Sequence, residues 1–265
     1  MGERGESEGI DRGSMDFAQR YGPWAVVAGA SEGVGASVAR LLGARGINVV
    51  LIARREAALE EVAATIPTQT KTVVLDLSEP AATDALVEAT NDLEVGLLIY
   101  NAGADPYMSR FLDKPVEVWR SMATRNCLTV LGTVHHFAGP MVARGHGGIV
   151  LVTSGAGWAG SAHIAVYGAT KAFDRVLAEA LWAELSPSGV DVLATVLGPT
   201  DTPAFRRILN GRDFEGMAHP DDVALEMLDN LGEGPTFPPD PSPLGALPPR
   251  QAVELMSQAS ATLVG

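Results

Sequence analysis

The feature that most constrains this chain is a repeated alternation between short apolar runs and longer segments with helical periodicity. Runs that are apolar at nearly every position are typical of strands whose two faces are both covered. Helices placed between such strands connect parallel neighbours through right-handed crossovers. The sequence therefore predicts the α/β class, as a single doubly wound domain with a mainly parallel sheet of about seven strands.

The predicted elements follow from this alternation. The predicted strands are Trp24–Ala28, Asn48–Ala53, Thr72–Leu75, Val95–Tyr100, Gly148–Thr153 and Val190–Leu197. The predicted helices are Val34–Ala44, Glu56–Ile66, Ala81–Thr90, Val116–Val142 and Ala165–Leu185. Beyond them we predict a loop with a short helix over Thr200–Asp213, a helix over His219–Leu231, a short edge strand near Pro235–Pro238 and a last helix over Arg250–Leu263.

The length and composition fit one large domain. We expect residues 1–15 to be a flexible N-terminal tail and residues 16–265 to form the single domain. Within it, residues 200–218 would act as a substrate lid, and residues 233–249 form a proline-rich C-terminal segment. The tail has no apolar stretch of the kind found in secretory signals.

Charge and cysteine content narrow the class of partner. A net charge of −13 argues against nucleic acid and against an anionic membrane surface, because both attract basic proteins. Cys127 is the only cysteine, so no internal disulfide can form. His135 and His136 are adjacent and would point about 100° apart on a helix, a poor arrangement for a metal. We expect a cytoplasmic protein without a metal, a nucleic-acid partner or a membrane anchor.

A glycine-rich turn follows the first predicted strand. Residues 28–35 read Ala-Gly-Ala-Ser-Glu-Gly-Val-Gly, and a helical pattern follows at once. Glycines allow a tight reversal and a close approach to a pyrophosphate, while the helix N-terminus supplies free N–H groups. Such a turn can also be purely structural. Its place in the fold favours a dinucleotide site formed by Gly29, Ser31, Gly33, Val34 and Gly35.

The end of the second predicted strand indicates which dinucleotide binds. An acidic residue there would bind the adenine ribose of NAD and repel a 2′-phosphate. Here Ala53 is followed by Arg54 and Arg55, whose guanidinium groups match the geometry of a phosphate. Arginines at a strand end can also simply face solvent. We expect NADP(H), with Arg54 as the main contact and Arg55 as the second, and keep NAD(H) as the alternative.

Four further residues could support proton transfer. Tyr167 and Lys171 are four apart on a predicted helix and share a face, although this spacing is common on ordinary helix surfaces. A nearby ammonium stabilises a phenolate, so the pair could act as a general acid near neutral pH. Ser154 follows a predicted strand, at the sheet edge where open α/β folds bind ligands. Asn126 is either tolerated within its helix or a polar group that holds water beside Lys171.

Together these motifs resemble the short-chain dehydrogenase/reductase family, whose members have a Rossmann-type fold, in the branch with chains of about this length. The glycine spacing matches, and Asn101-Ala102-Gly103 matches a family segment that steadies the sheet and touches the cofactor. The resemblance extends from about Trp24 to Thr202. It adds further cofactor contacts at Asp76, Leu77, Gly198, Thr200 and Thr202.

The resemblance implies an NADP-dependent oxidoreductase acting on CH–OH and C=O groups. Tyr167 would exchange a proton with the substrate oxygen as hydride moves to or from the nicotinamide. Lys171 would stabilise the phenolate and hold the nicotinamide ribose. Ser154 would polarise the carbonyl, and Asn126 would support a water relay. Relatives associate through the helices that carry Asn126 and Tyr167, so a homodimer or homotetramer is expected.

Some features depart from the family pattern, and other functions remain open. Ala28 replaces a common threonine, Leu197 a common proline, and Ser31 and Glu32 stand where many NADP users carry a basic residue. A non-catalytic redox sensor or regulatory protein on the same fold is the main alternative. A nucleotide-sugar epimerase is another, although such enzymes add a larger C-terminal region. The apolar and small residues of segments 107–112, 155–162 and 200–216 favour an apolar small-molecule substrate.

Overall fold

A computed structural model describes residues 16–238 and 247–264. The predicted tail, residues 1–15, and part of the proline-rich segment, residues 239–246, lie outside the described residues. The strands are β1 (Trp24–Ala28), β2 (Asn48–Ala53), β3 (Thr70–Val74), β4 (Val95–Tyr100), β5 (Gly147–Ser154), β6 (Val190–Leu197) and β7 (Thr236–Phe237). The helices are α1 (Phe17–Tyr21), α2 (Gly33–Ala44), α3 (Glu56–Ala63), α4 (Ala82–Thr90), α5 (Val116–Ala123), α6 (Thr129–Arg144), α7 (Ala165–Leu185), α8 (Pro203–Leu209), α9 (Pro220–Asp229) and α10 (Pro249–Val264).

The strands form one parallel sheet in the order β3-β2-β1-β4-β5-β6-β7, which confirms the predicted Rossmann-type fold. The chain first builds outward from β1 to β3 and then returns to place β4 on the other side of β1. The loops after β1 and β4 therefore diverge to opposite faces of the sheet. In open α/β sheets this switch point leaves a crevice at the carboxyl ends of the strands, where ligands bind.

Apolar cores lie on both faces of the sheet. Consecutive residues of β1 alternate between them: Val27 packs in the cluster under α2 and α9, and Val26 packs in the cluster under α4, α6 and α7. Both side chains are fully buried, as are Leu97 and Leu98 of β4. This two-sided burial is the physical reason for the uninterrupted apolar runs in the sequence.

Several predicted boundaries were wrong by one to three residues, and β3 and α3 show the physical reasons. β3 begins at Thr70 rather than Thr72 and ends at Val74 rather than Leu75, because it pairs residue by residue with positions 49–53 of β2. As an edge strand it needs only a partly apolar surface. α3 ends at Ala63 rather than at Ile66. Pro67 follows, and a residue before proline disfavours helical backbone. Ile66 instead turns inward and is buried.

The predicted single helix over Val116–Val142 is interrupted. α5 ends at Ala123, a π-helical turn covers Thr124–Leu128, and α6 continues from Thr129. A π-turn inserts a residue into the helical repeat and reorients the side chains within it, and such turns are frequent at functional sites. Asn126 lies in this turn and is fully buried.

The C-terminal elements agree with their predicted places. Short helix α8, helix α9, edge strand β7 and final helix α10 occur where the sequence predicted a short helix, a helix, an edge strand and a last helix. Within residues 16–238 and 247–264, no helix combines the length and the apolar character needed to cross a bilayer.

Candidate active site

A cleft of about 860 Å³ lies where the carboxyl ends of the strands meet. Residues that follow several different strands line it, among them Gly29 after β1, Arg54 after β2, Asn101 after β4 and Gly198 after β6. The cleft therefore occupies the switch point of the sheet. Its volume lies toward the upper end of the range of about 300–1,000 Å³ that is typical of ligand sites.

The glycine turn is as tight as the sequence predicted. Gly29 and Gly33 have φ values of +83° and +55°, which favour glycine. A Cβ on Gly35 would lie 2.1 Å from the carbonyl oxygen of Gly29. The side-chain amide of Asn101 donates a hydrogen bond to that same oxygen at 3.0 Å, so the turn is clamped from the β4 side.

The N-terminus of α2 points its free backbone N–H groups at this turn. The residue before the helix, Glu32, makes no capping hydrogen bond with its side chain. The first N–H groups of a helix lack intrahelical acceptors and carry a partial positive charge, which suits an anion. The turn and helix therefore fit the pyrophosphate of a dinucleotide.

Arg54 lies at the edge of the cleft with 69% of its side chain exposed. Its Nη1 is 3.7 Å from Oδ2 of Asp76, which follows β3. Burial alone would raise the pKa of the Asp76 carboxyl. Hydrogen bonds from the hydroxyl and backbone N–H of Ser78, with the charge of Arg54, outweigh that effect and lower the pKa. Asp76 is thus a carboxylate fixed beside an accessible guanidinium.

Arg55 is paired within the protein, which the sequence did not indicate. Its Nη2 lies 2.5 Å from Oε2 of Glu32. Arg207 of α8 also donates to Glu32, so one carboxylate joins the end of β2 to the segment predicted as a lid. Burial would raise the pKa of Glu32, but hydrogen bonding to Arg207 and the charges of Arg207 and Arg55 lower it. Glu32 therefore competes with any ligand phosphate for both arginines.

Ser154, Tyr167 and Lys171 all line the same cleft. Ser154 ends β5, and its Oγ accepts a hydrogen bond from the backbone N–H of Ala156 at 3.2 Å. Because the oxygen is fixed as an acceptor, its own proton can be donated to a ligand oxygen in the cleft. Tyr167 lies in the first turn of α7 and Lys171 one turn later, as the i,i+4 spacing predicted.

The ammonium of Lys171 is buried against β5 and α7. Its Nζ donates to the carbonyl oxygen of Val152 at 2.8 Å and to Oδ2 of Asp174 at 3.0 Å. The hydroxyl of Thr153 donates to the backbone carbonyl of Lys171 at 2.6 Å. A Cβ on Gly103 would lie 2.7 Å from Nζ, so any other residue at this position would displace the ammonium.

Asn126 lies behind this group and is not among the residues that line the cleft. Its Nδ2 donates to Oγ1 of Thr170 at 3.0 Å, and its Oδ1 accepts from Nε of Arg125 at 3.0 Å. Arg125 itself lines the cleft and also donates to the carbonyl of Ala104 at 2.8 Å. The π-helical turn thus places an amide and a guanidinium side by side, next to Gly103 and Ala104.

The remaining wall of the cleft is largely apolar and includes the C-terminal helix. Its apolar members are Met108, Ile164, Phe205, Ile208, Phe214, Met256 and Leu263. Helix α10 is held in place by polar contacts: the hydroxyls of Ser161 and Ser260 lie 2.6 Å apart, and the N–H of Ala162 donates to Oγ of Ser257 at 3.1 Å. The sequence predicted this helix but not its part in the cleft.

The structure brings almost every predicted site residue to the cleft. The predicted residues that line it are Gly29, Ser31, Gly33, Val34, Arg54, Arg55, Asp76, Leu77, Asn101, Ala102, Gly103, Ser154, Tyr167, Lys171, Gly198, Thr200 and Thr202. Gly35 and Asn126 do not line it: one makes the turn compact and the other lies behind the ammonium. Met108 is a wall residue, whereas Tyr107, Trp158 and His163 are not among the lining residues.

Sequence reasoning missed Glu32, Arg125, Asp174 and the residues of α10. Only Asp174 could have been found from the sequence, because it is an acidic residue one helical turn after Lys171 on the same helix face. The others depend on contacts between distant parts of the chain.

In the part of the chain that the structure describes, no group of three or more His, Cys, Asp or Glu side chains could hold a metal.

Comparison with known proteins agrees with this geometry. The family model described as short chain dehydrogenase matches residues 23–213. A 7beta-hydroxysteroid dehydrogenase of Clostridium sardiniense is 31% identical over 229 residues, spanning 84% of this chain and 87% of the relative.

Two solved structures are similar along most of their length. One comes from work on 7beta-hydroxysteroid dehydrogenase stereoselectivity, with a TM-score of 0.82, 29% identity, and coverage of 91% of this chain and 99% of the other. A short-chain dehydrogenase from Sphingobium yanoikuyae in complex with NADPH has a TM-score of 0.74 and 30% identity, covering 83% and 89%. With its parallel sheet, its switch-point cleft and a family match over most of its length, this chain belongs to the short-chain dehydrogenase family of oxidoreductases.

Proposed function

We propose that this chain is an NADP(H)-dependent dehydrogenase that interconverts a secondary alcohol and a ketone on an apolar, steroid-like molecule. One observation carries the proposal: Ser154, Tyr167 and Lys171 line the same cleft as a set of apolar side chains from α8, α10 and the loops between strands. Relatives named hydroxysteroid dehydrogenases, which align over most of this chain, support the same substrate class.

The residues of the chain would divide the work as follows. The Ser154 hydroxyl donates to the substrate oxygen and orients the carbonyl. Tyr167 gives that oxygen a proton during reduction and takes it back during oxidation. The Lys171 ammonium favours the phenolate form of the tyrosine and would hold the nicotinamide ribose. Bound nicotinamide supplies or accepts the hydride. Asn126 would steady this turn of α7 through the hydrogen bond from its buried amide to Thr170.

The apolar wall supports a substrate with a large apolar body. A rigid polycyclic ring would bury its area against Phe205, Phe214 and Met256, and each fully buried side chain of this size contributes about 1.5–3 kcal/mol. Helix α8 and the segment that follows it to Ala218 would serve as the lid predicted at residues 200–218. Because α10 adds to this wall, truncating the chain before Pro249 should raise KM for a steroid more than KM for a small ketone.

The cofactor preference rests on Arg54. It is exposed at the cleft edge, whereas Arg55 is already paired with Glu32. Arg54→Ala should raise KM for NADPH about tenfold or more and leave KM for NADH nearly unchanged, since a charge-assisted contact contributes ~1.5–3 kcal/mol. Arg120→Ala, at an exposed arginine of α5, removes the same charge as a control. An unchanged NADPH preference in Arg54→Ala would contradict the assignment.

The decisive test follows NADPH absorbance across a panel of oxo- and hydroxysteroids, 3-oxoacyl thioesters and small ketones. Wild type should turn over the steroids, and Tyr167→Phe should lose nearly all turnover while still binding NADPH. Tyr107→Phe makes the same change at a tyrosine that is 45% exposed and packs on Trp119, and should be fully active. Binding of NADPH without turnover of any panel member would favour the non-catalytic sensor instead.

A homodimer or homotetramer forms part of the proposal. Apolar side chains remain exposed on the outer faces of α5 to α7 and the π-turn, where related enzymes associate: Val116, Leu128, Leu131, Phe173 and Val176. Exposed apolar side chains on neighbouring helices favour an interaction site on this side of the protein. Light scattering should give a multiple of the 27.7 kDa chain mass, and Leu131→Arg should reduce it.

A further inference from the structure

A buried carboxylate lies one helical turn beyond Lys171. We propose that Asp174 is a positioning residue: its carboxylate holds the Lys171 ammonium against the carbonyl of Val152 and offsets its charge, and so sets the pH range in which Tyr167 exchanges its proton. The inference rests on the proposed function for Tyr167 and Lys171. The placement of the Lys171 ammonium by Asp174 does not depend on that function and can be tested separately.

The pair is isolated from solvent and closely spaced. Nζ of Lys171 lies 3.0 Å from Oδ2 of Asp174, and the two side chains are only 4% and 3% exposed. With the bond to Val152 at 2.8 Å, two of the three ammonium protons have fixed acceptors inside the protein. The third direction is left for the cleft, which Lys171 lines. Asp174 therefore determines which way the ammonium faces.

The Lys171 ammonium is the cation that favours the charged form of Asp174. Burial raises the pKa of its carboxyl, and the Lys171 ammonium opposes that rise by charge and hydrogen bond. The other titratable groups facing it are the Tyr100 hydroxyl of β4, whose pKa burial raises, and the Cys127 thiol of the π-turn, whose pKa burial raises to about 11. Both are neutral near physiological pH. Oδ1 of Asp174 is buried without a hydrogen-bond partner among the described residues.

Charge balance explains why such a group would matter. A buried ammonium with no partner is costly, and burial favours its neutral form. A buried ammonium with a carboxylate in contact stays charged, yet its field at a neighbouring phenol is partly cancelled. Replacing Asp174 by asparagine should therefore leave Tyr167 under a stronger positive field as long as Lys171 remains protonated.

The kinetic test compares Asp174→Asn with wild type over the pH range of ketone reduction. Under the proposed function ketone reduction consumes the Tyr167 proton, so its rate should fall on the alkaline side. The midpoint of that loss in kcat/KM should move to lower pH by about one unit in the variant, the low end of what a neighbouring charge does. Asp191→Asn is the matched control, because Asp191 is another buried carboxylate paired with a cation, Arg20, far from the cleft. It should keep the wild-type midpoint.

A second measurement does not depend on turnover. The chain contains only three lysines, Lys71, Lys114 and Lys171, so nitrogen-15 labelling of lysine gives three side-chain signals to resolve. In wild type the Lys171 Nζ signal should show slow proton exchange, since its protons are buried and bonded. In Asp174→Asn that signal should show faster proton exchange than in wild type, because one of its fixed acceptors is weakened, while Lys71 and Lys114 keep their behaviour.

Each outcome decides whether Asp174 positions the Lys171 ammonium or has only a structural role. A kinetic midpoint and a Lys171 signal that match wild type in Asp174→Asn would overturn the proposal, as would an equal shift in Asp191→Asn. If Asp174→Asn does not fold, a wild-type Lys171 signal that exchanges as fast as that of Lys71 overturns it. Absence of turnover in wild type would refute the proposed function, while the Lys171 signal would still test the positioning.

Discussion

Replacing Glu32 by glutamine should strengthen the preference for NADPH over NADH. Glu32 stands in the glycine turn and pairs with Arg55 after β2 and with Arg207 of α8. A 2′-phosphate bound near Arg54 would meet a neighbouring guanidinium already neutralised by this carboxylate. Glutamine keeps the size of the side chain and removes the charge, so Arg55 becomes available to the phosphate.

The expected size follows from how exposed the pairs are. The side chain of Glu32 is 21% exposed, whereas those of Arg55 and Arg207 are 56% and 62% exposed. Ion pairs in contact with solvent contribute only about 0.2–1 kcal/mol each, because water screens them. Freeing Arg55 should therefore lower the Kd for NADPH about twofold to fivefold. NADH has no phosphate at this place, and its Kd should change less.

Fluorescence titration with both cofactors measures the effect directly. The effect of the substitution on the ratio of Kd for NADPH to Kd for NADH should be smaller at high salt, because screening weakens the ion pairs that Glu32 makes with the arginines. Glu61→Gln is the matched control, because Glu61 is an exposed glutamate of α3 that borders a small surface pocket together with Glu32. An unchanged ratio in Glu32→Gln, or an equal change in Glu61→Gln, would refute the idea that Glu32 competes with the phosphate.

Two further predictions concern stability and need only chemical denaturation. Gly35→Ala would place a Cβ 2.1 Å from the Gly29 carbonyl oxygen and should cost ~2–3 kcal/mol. The control is Gly160→Ala at an exposed position, where the new Cβ would come no closer than 3.7 Å to Val253, and it should change stability by less than ~0.5 kcal/mol. Similar effects at both positions would contradict the clamped turn. The Tyr21 hydroxyl donates a hydrogen bond to Asp191 at 2.7 Å, and burial raises the pKa of this tyrosine in the folded protein. Its contribution to the free energy of unfolding is therefore full below about pH 10, the pKa in the unfolded chain. That contribution is lost as pH rises through the folded-state pKa. Tyr21→Phe should cost ~1–2 kcal/mol at neutral pH and flatten the alkaline loss of stability, and an unaltered alkaline limb would exclude this role.

The fold was predictable because its signals are local. Every residue of β4 is buried, so the run Val95–Tyr100 is apolar throughout and its boundaries could be read from the sequence. The glycine turn was equally predictable from the sequence, since Gly29 adopts a backbone conformation that other residues avoid. The interruption at Thr124–Leu128 could not be predicted, because this segment contains neither glycine nor proline and continues the helical pattern on both sides.

The charge arrangement of the site could not be predicted for a related reason. Arg55 looked like a phosphate ligand from its position after β2, but its partner Glu32 lies 23 residues earlier and a third member, Arg207, 175 residues from Glu32. Only the folded sheet brings these three side chains together. The part played by α10 is similar, because its contact with Ser161 joins segments 99 residues apart.

An acidic protein that takes an anionic cofactor must gather its few cations where they are needed. The chain carries a net charge of −13, yet Arg54, Arg125, Arg207 and Lys171 all line one cleft. Pairing with Glu32, Asp76 and Asp174 keeps this group from repelling itself before the cofactor arrives. Each carboxylate holds its cation in a defined direction, but it also cancels part of the positive field of that cation. Glu32→Gln and Asp174→Asn separate these two effects at opposite ends of the cofactor, since one should change affinity for the phosphate and the other the pH range of proton transfer.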